Sequence, residues 1–239
     1  MADEKLEKIK HVYSFWGRFS KLYDAQDAIT FLGRARDIRR SAAQGLGLKP
    51  GDSVLEVACG SGRDFPYLIE AVGPEGKIIG QDYSPEMLEA AKKLCAVNGW
   101  TNVTLMAGDA AKLDLDKTGF DGVLSILGIS AVPDWRNAIQ KCFGVLKVGG
   151  KLVVCDARLF SGWLAVLNPL VKAIYSRFAA WDPSKDIPQE MRTIFGNVEI
   201  KTYNFGTFFI ASSEKKSGDC RALLDYALAM TEGNDVLTR

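Results

Sequence analysis

From residue 51 to about 157, short apolar runs alternate with longer segments of helical pattern. The runs are SVLEVA (53–58), KIIGQD (77–82), NVTLMA (102–107), GVLSIL (122–127) and KLVVCD (151–156). Each is rich in aliphatic and β-branched residues and bounded by Gly, Asp or Asn, which predicts strands. Between them, SPEMLEAAKKLCAVNG carries Ser84 as an N-cap, Pro85 at the first helical position and Gly99 just past the end. PDWRNAIQKCFGVLKVGG places Ile139, Cys142, Phe143 and Leu146 on one face and predicts a helix that stops at Gly149-Gly150. Gly73-Pro74-Glu75-Gly76 predicts a turn ahead of the second strand. Strands and helices repeated in this order need crossovers of one hand, so the fold class is α/β, a doubly wound and mainly parallel sheet.

The flanks read differently. Residues 1–50 have a helical pattern and are expected to form an N-terminal helical lid. The segment 158–192 reads as an irregular-to-helical insertion. VEIKTY and TFFIASS, around the turn Asn204-Phe205-Gly206, predict two last strands that pair antiparallel, for seven in all. RALLDYALAM (221–230) predicts a terminal amphipathic helix. The expected organisation is a lid over 1–50, a binding domain over 51–215 and a C-terminal extension over 216–239.

Composition narrows the function classes. Thirty Lys+Arg against 29 Asp+Glu leave a formal charge of +1 in 239 residues, which gives no global attraction to nucleic acid. Five cysteines are an odd number, widely spaced and without Cys-x-x-Cys, so neither a disulfide framework nor a zinc site is expected. The single histidine, His11, excludes a His-rich metal centre and argues against a Ser-His-Asp triad. No metal is expected. The charged opening MADEKLEKIK does not read as a signal peptide, and a reduced, cytoplasmic setting is expected.

The sharpest chemical feature is VLEVACGSGRDF (54–65), a strand, a small-residue turn and the start of a helix. Glycines at such a turn let a ligand approach the backbone. The turn lacks the Gly-Lys-Ser/Thr ending of a phosphate loop and the third glycine of a dinucleotide fingerprint. Glu56 is an acid at the approach, suited to a ligand with positive charge. Asp82 ends the second strand, where an acid can accept both hydroxyls of an adenosine ribose. Asp109 closes the third. Three acids at the ends of three successive strands converge on the crevice where open α/β sheets bind ligands.

These motifs, with QDYSPEML, AGDAAKLDL, FDGVLSILGISAVPDW and GVLKVGGKLVV in order, resemble class I S-adenosylmethionine-dependent methyltransferases, whose fold is Rossmann-like. The nearest likeness is to the ubiquinone/menaquinone-biosynthesis group and the related phospholipid N-methyltransferases. The resemblance implies S-adenosylmethionine as cofactor, with Glu56, Ala58, Gly60, Ser61 and Gly62 around its methionine end. It implies Asp82 on the ribose, Tyr83 and Met87 beside the adenine, and Asp109 on the adenine amino group with Ala110 nearby. Ile126 falls where the family's chain passes the methionine moiety. Tyr23, in Tyr23-Asp24, would lie over the cofactor. The chain departs from the quinone group at Ser130-Ala131, where that group carries Arg-Asn, and at Ala157-Arg158 after Asp156.

Methyl transfer from a sulfonium is an in-line displacement, so alignment and exclusion of water do most of the work. Should the acceptor need a base, the candidates are His11, Tyr23 and Asp156. Leu6, Ile9, Tyr13, Trp16, Phe19 and Tyr23 form an aromatic stripe opposite Lys10, Arg18 and Lys21. That is either a lid packed on the domain or a helix lying in a membrane interface. The run 159–181 is apolar, but Asn168-Pro169, Lys172 and Arg177 interrupt it, so no span across a membrane is expected. Two aromatic-rich segments beside one cleft favour a hydrophobic or lipid-like small-molecule acceptor, with peripheral membrane contact. A small-molecule N- or O-methyltransferase with a soluble acceptor is the alternative, and a non-catalytic scaffold a further one. The acceptor atom and the oligomeric state are not legible.

Overall fold

A computed structural model describes residues 31–113, 115, 119–160, 162–178 and 181–218. The sequence expectations for His11, the Trp16 stripe, Tyr23 and the helix over 221–230 lie outside them. The described chain opens with helix α1 (Ala35–Gly45) and then alternates: β1 (Ser53–Val57), α2 (Phe65–Val72), β2 (Lys77–Asp82), α3 (Pro85–Asn98), β3 (Val103–Ala107), β4 (Phe120–Ile126), α4 (Trp135–Val145) and β5 (Leu146–Ala157). Helices α5 (Asn168–Phe178) and α6 (Ile187–Phe195) precede β6 (Glu199–Tyr203) and β7 (Phe208–Glu214).

The strands form one seven-stranded sheet in the order β3-β2-β1-β4-β5-β7-β6. Strands β1 to β5 pair in parallel. Strand β7 inserts between β5 and β6 and is antiparallel to both. The carboxyl ends of β1 to β6 therefore share one edge, and the order reverses between β1 and β4. A ligand crevice opens at such a point in sheets of this kind.

Alternation along the strands fills two layers. On β5, Leu152 and Val154 face one core with α4 and α6, while Val153 and Cys155 face the other with α1, α2 and α3. Phe31, Ile38, Ala42, Ala43 and Leu46 are buried in that second core with Val54 and Phe65. The second core therefore includes residues upstream of the first strand, back to Phe31 among the described residues.

Local signals set most element ends. The Ser84 hydroxyl accepts from Met87 N–H at 3.3 Å, and Gly99 closes α3 in the left-handed region at φ 67°. The fourth helix ends sooner than its apolar face implied. It stops at Val145, and Leu146 is already the first residue of β5. Leu146 pairs with Phe120 of β4. Sheet pairing thus takes over from helical spacing where the two patterns overlap.

Candidate functional site

A cavity of about 870 Å³, a volume that includes its open mouth, lies at the carboxyl edge over β1, β2 and β4. Five parts of the chain form it: Arg39 of α1, the turn after β1, the end of β2, the turn after β3, and the stretch after β4.

The turn after β1 uses its two glycines for different purposes. Gly60 has φ +55°, and nothing lies within 4 Å of where its side chain would begin, so its backbone faces open space. Gly62 has φ +80°, but a β-carbon there would stand 2.6 Å from the Phe65 ring. Gly62 therefore serves helix–turn packing, and it is absent from the cavity lining. Ala58, Gly60 and Ser61 do line it. Ala58 holds a left-handed φ of 54°, as does Leu127 at 57° after β4. Side chains rarely take that conformation, so both ends of the cavity floor hold backbone strain.

Asp82 anchors the second wall. Its Oδ2 accepts from Gly60 N–H at 2.8 Å and its Oδ1 from Ser84 N–H at 2.8 Å. Each oxygen has a further lone pair for a ligand hydroxyl. Burial raises the Asp82 carboxyl, and hydrogen bonds from the Ser84, Gly60 and Tyr83 backbone oppose that rise. Tyr83 and Met87 complete the wall. On the third wall, Asp109 Oδ1 accepts from Ala111 N–H at 2.9 Å and so caps the short turn Ala110–Lys112. Asp109 and Ala110 line the cavity, and Ile126 lines it from β4.

Glu56 takes a place the sequence did not suggest. It is 1% exposed and is not among the lining residues. Burial first, then the neighbouring Asp64, drive its carboxyl well above the usual range, while Arg39 acts against them. Its Oε2 has no hydrogen-bond partner among the described residues. Arg39 Nη1 donates to both Asp64 oxygens, at 2.9 and 2.8 Å, with the two side chains 8% and 4% exposed. The cation beside the acids is thus supplied by the chain itself. Arg39 and Asp64 line the cavity and Glu56 lies under them.

Sequence reading missed several other lining residues. Gln81 bridges two turns: its amide donates to the Gly108 carbonyl and its Oε1 accepts from Ala58 N–H at 3.4 Å. Its place beside Asp82 was the available signal. Gly128 could take no side chain, because a β-carbon would stand 2.6 Å from Ala58 Cβ and 2.7 Å from Ser125 Oγ. Ala131, Val132 and Pro133 form the remaining wall. Nothing local marks Arg39, whose partner lies 25 residues away.

Asp156, one of the candidate bases, does not line the cavity. It is fully buried, and accepts from Ser130 Oγ at 2.9 Å, Ser130 N–H at 3.1 Å and Ala157 N–H at 2.8 Å. A carboxylate engaged in this way orients a turn and does not reach an acceptor. No group of three or more His, Cys, Asp or Glu side chains that could hold a metal occurs among the described residues. No helix among them is long and apolar enough to cross a membrane.

The family model described as the ubiE/COQ5 methyltransferase family matches residues 1–180. A demethylmenaquinone methyltransferase of Oceanobacillus iheyensis is 29% identical over 224 residues, covering 84% of this chain and 92% of that protein. One from Anoxybacillus flavithermus is 26% identical over 239 residues, covering 91% of this chain and 100% of that protein. Among solved structures, a Haloferax volcanii methyltransferase in complex with the Trm112 methyltransferase activator is similar in fold. Its TM-score is 0.68 at 16% identity, over 87% of this chain and 97% of that one.

Proposed function

The chain belongs to the ubiE/COQ5 methyltransferase family, and we propose that it methylates a quinone-type or other lipid-like acceptor met at a membrane surface. Its methyl donor is S-adenosylmethionine, which when bound supplies an electrophilic methyl on a sulfonium. The residues present fit that donor: open backbone at Gly60, a buried acid at Asp82 and an apolar floor at Met87 and Ile126. In this reading Asp82 accepts from the ribose hydroxyls, Asp109 from the adenine amino group, and Tyr83 packs beside the ring. The turn from Ala58 to Ser61 carries the methionine end, under which Arg39 and Asp64 set the local charge. What the chain contributes to transfer is alignment and exclusion of water, an effect worth several kcal/mol when the reacting atoms are held in line.

The observation that carries the acceptor class is a run of exposed apolar side chains after β5, with an exposed aromatic at the same sheet edge. Trp163 is 84% exposed and Phe205 81%, and Val166, Leu167 and Leu170 are also exposed. The segment bearing four of them leaves the sheet after Ala157, at the carboxyl end of β5, and returns there, where Trp181 Nε1 donates to the Ala157 carbonyl at 3.1 Å. Phe205 stands at the same edge, in the turn after β6, to which Arg158 Nε donates through the Gly206 carbonyl at 2.7 Å. Aromatic and aliphatic groups beside exposed Arg158 and Lys172 suit the interface of an anionic bilayer.

A second reading keeps the same surface and changes the acceptor to a phospholipid head-group amine. Its ground is only that Ser130-Ala131 departs from the Arg-Asn that the resemblance gives the quinone group, which weighs against a quinone. Lipid extracts incubated with enzyme and trideuteromethyl cofactor, followed by mass spectrometry, separate the two. Label on a quinone supports the first reading and label on a head-group amine the second. Label confined to water-soluble metabolites overturns both. In the same preparation Trp163→Asp should abolish flotation with anionic vesicles while leaving cofactor affinity within about twofold, because one buried aromatic contributes a large share of interfacial binding. Flotation unchanged by that substitution removes the membrane face.

A further inference from the structure

The stretch after β4 forms the wall of the cavity opposite the ribose acid, yet the groups that hold it come from elsewhere. Lys185 precedes α6 and donates from Nζ to the Ser130 carbonyl at 2.6 Å and to the Val132 carbonyl at 2.8 Å. Asp156, at the end of β5, grips the same turn from its other side through the Ser130 amide and hydroxyl. Ser130 is 55 residues from Lys185 and 26 from Asp156, so three distant parts of the chain meet on one short turn, Ile129–Ala131. The residues that follow, Ala131, Val132 and Pro133, line the cavity.

We propose that Lys185 and Asp156 are positioning residues for methyl transfer, holding the Ser130 turn so that Ala131 and Val132 present a fixed wall to the acceptor. This rests on the reading of the cavity as the site of cofactor and acceptor. The chemistry is complementary: Lys185 has only donors and takes two carbonyls, and Asp156 has only acceptors and takes the turn's N–H and O–H. The turn has few other means of satisfying these groups, since a single short helical turn leaves most of its backbone unpaired. Moving the wall by an ångström would cost alignment without touching the donor's binding groups.

Asp156 also makes the clamp sensitive to pH. Burial pushes its carboxyl up to about 6, against hydrogen bonds from Ala157 and Ser130 and the charge of Lys185. Its neighbours across the sheet are apolar: Phe209 is its partner on β7, and Ile126 ends β4 beside Cys155. Lys185 is the charged group that acts on it. Above that value the carboxylate accepts both Ser130 donors. Below it, one oxygen carries a proton and the grip on the turn weakens.

The test measures turnover of demethylmenaquinone in mixed micelles, with methyl-labelled cofactor, from about pH 5 to about pH 9. Wild type, Lys185→Met, Lys185→Arg and Asp156→Asn are compared, with calorimetry for the cofactor. Expected for Lys185→Met is an acceptor KM raised about fivefold or more, cofactor affinity within about twofold, and an acid limb moved to higher pH. Lys185→Arg should restore the limb, and Asp156→Asn should have none. The amide nitrogen signal of Ser130, in protein saturated with S-adenosylhomocysteine, gives a second readout that needs no acceptor. It should titrate near 6 in the wild type and higher in Lys185→Met. A Ser130 signal that does not titrate, or a Lys185→Met pH profile that superimposes on the wild type, overturns the proposal. A titrating Ser130 without turnover supports the clamp and counts against the quinone acceptor. Unchanged cofactor affinity in Asp82→Ala would instead sink the reading of the cavity itself.

Discussion

The two sides of the sheet's carboxyl edge are built by different means. Over β1, β2 and β3 the wall is built from turns at neighbouring strand ends: Asp82 accepts from Ser84 and, across to the turn after β1, from Gly60, while Asp109 accepts from Ala111. Over β4, β5 and β6 the wall is assembled from afar. Lys185 reaches Ser130, Trp181 reaches the Ala157 carbonyl, and Asn204 donates to the Phe31 carbonyl at 2.9 Å. In the proposed reading the first side holds the donor, for which backbone geometry suffices, and the second faces the acceptor. Beneath the first side lies an element of another kind, the buried Arg39–Asp64 ion pair beside Glu56.

That ion pair gives the largest expected effect. Arg39→Leu leaves the Asp64 carboxylate buried without its ion-pair partner beside Glu56. Removing one partner of a buried pair costs about 3–5 kcal/mol. For a domain of this size that is a fall in melting temperature on the order of 10 °C. Replacing both partners, as Arg39→Leu with Asp64→Leu, should recover most of it, because an apolar pair needs no mutual compensation. A single variant that melts with the wild type would show that this ion pair does not hold the cavity floor.

The pH dependence of stability sharpens the same point. Glu56 has a folded pKa above its unfolded value, raised chiefly by burial, so the folded state retains a proton that the unfolded state gives up. Its contribution is fully present below the unfolded carboxylate range and is lost as pH rises toward the folded value. Glu56→Gln keeps the shape of the neutral carboxyl and removes the titration. The variant should match the wild type below the ordinary carboxylate range and become progressively more stable than it as pH rises from there to neutral. Thermal melts across that range check this, and parallel curves would mean that Glu56 does not carry the proton.

How far the sequence foretold the site follows the same division. The strand runs, the Ser84 cap, Gly99 and the turn at Asn204-Phe205-Gly206 obey local rules, and the elements stand where the pattern puts them. Asp82 and Asp109 could be placed because strand ends in a parallel sheet converge by topology. Arg39 and Lys185 could not, since nothing in a lysine before a helix or an arginine within one tells which carbonyl or carboxylate it will reach. Asp156 was read as a candidate base because its position at a strand end was visible while its bonds to Ser130 were not. Leu146 was assigned to a helix face because helical spacing continues through it, and only its pairing with Phe120 moves it into β5.

The smallest expected effect concerns strain within the local half. Ala58 sits at φ 54°, where a side chain costs about 1–2 kcal/mol relative to glycine. Glycine also frees the unfolded chain, which returns about 0.5–1 kcal/mol of that. Ala58→Gly should therefore stabilise by about 0.5 kcal/mol, a rise in melting temperature of about 1–2 °C. The alanine methyl borders the other half: a β-carbon at Gly128 would stand 2.6 Å from it. Gly128→Ala should consequently be less harmful in the Ala58→Gly background than alone, although Ser125 Oγ at 2.7 Å still opposes it. A double-mutant cycle on melting temperature measures that coupling. Strict additivity would mean that the ends of β1 and β4 relax independently, and that the two halves do not press on each other through this methyl.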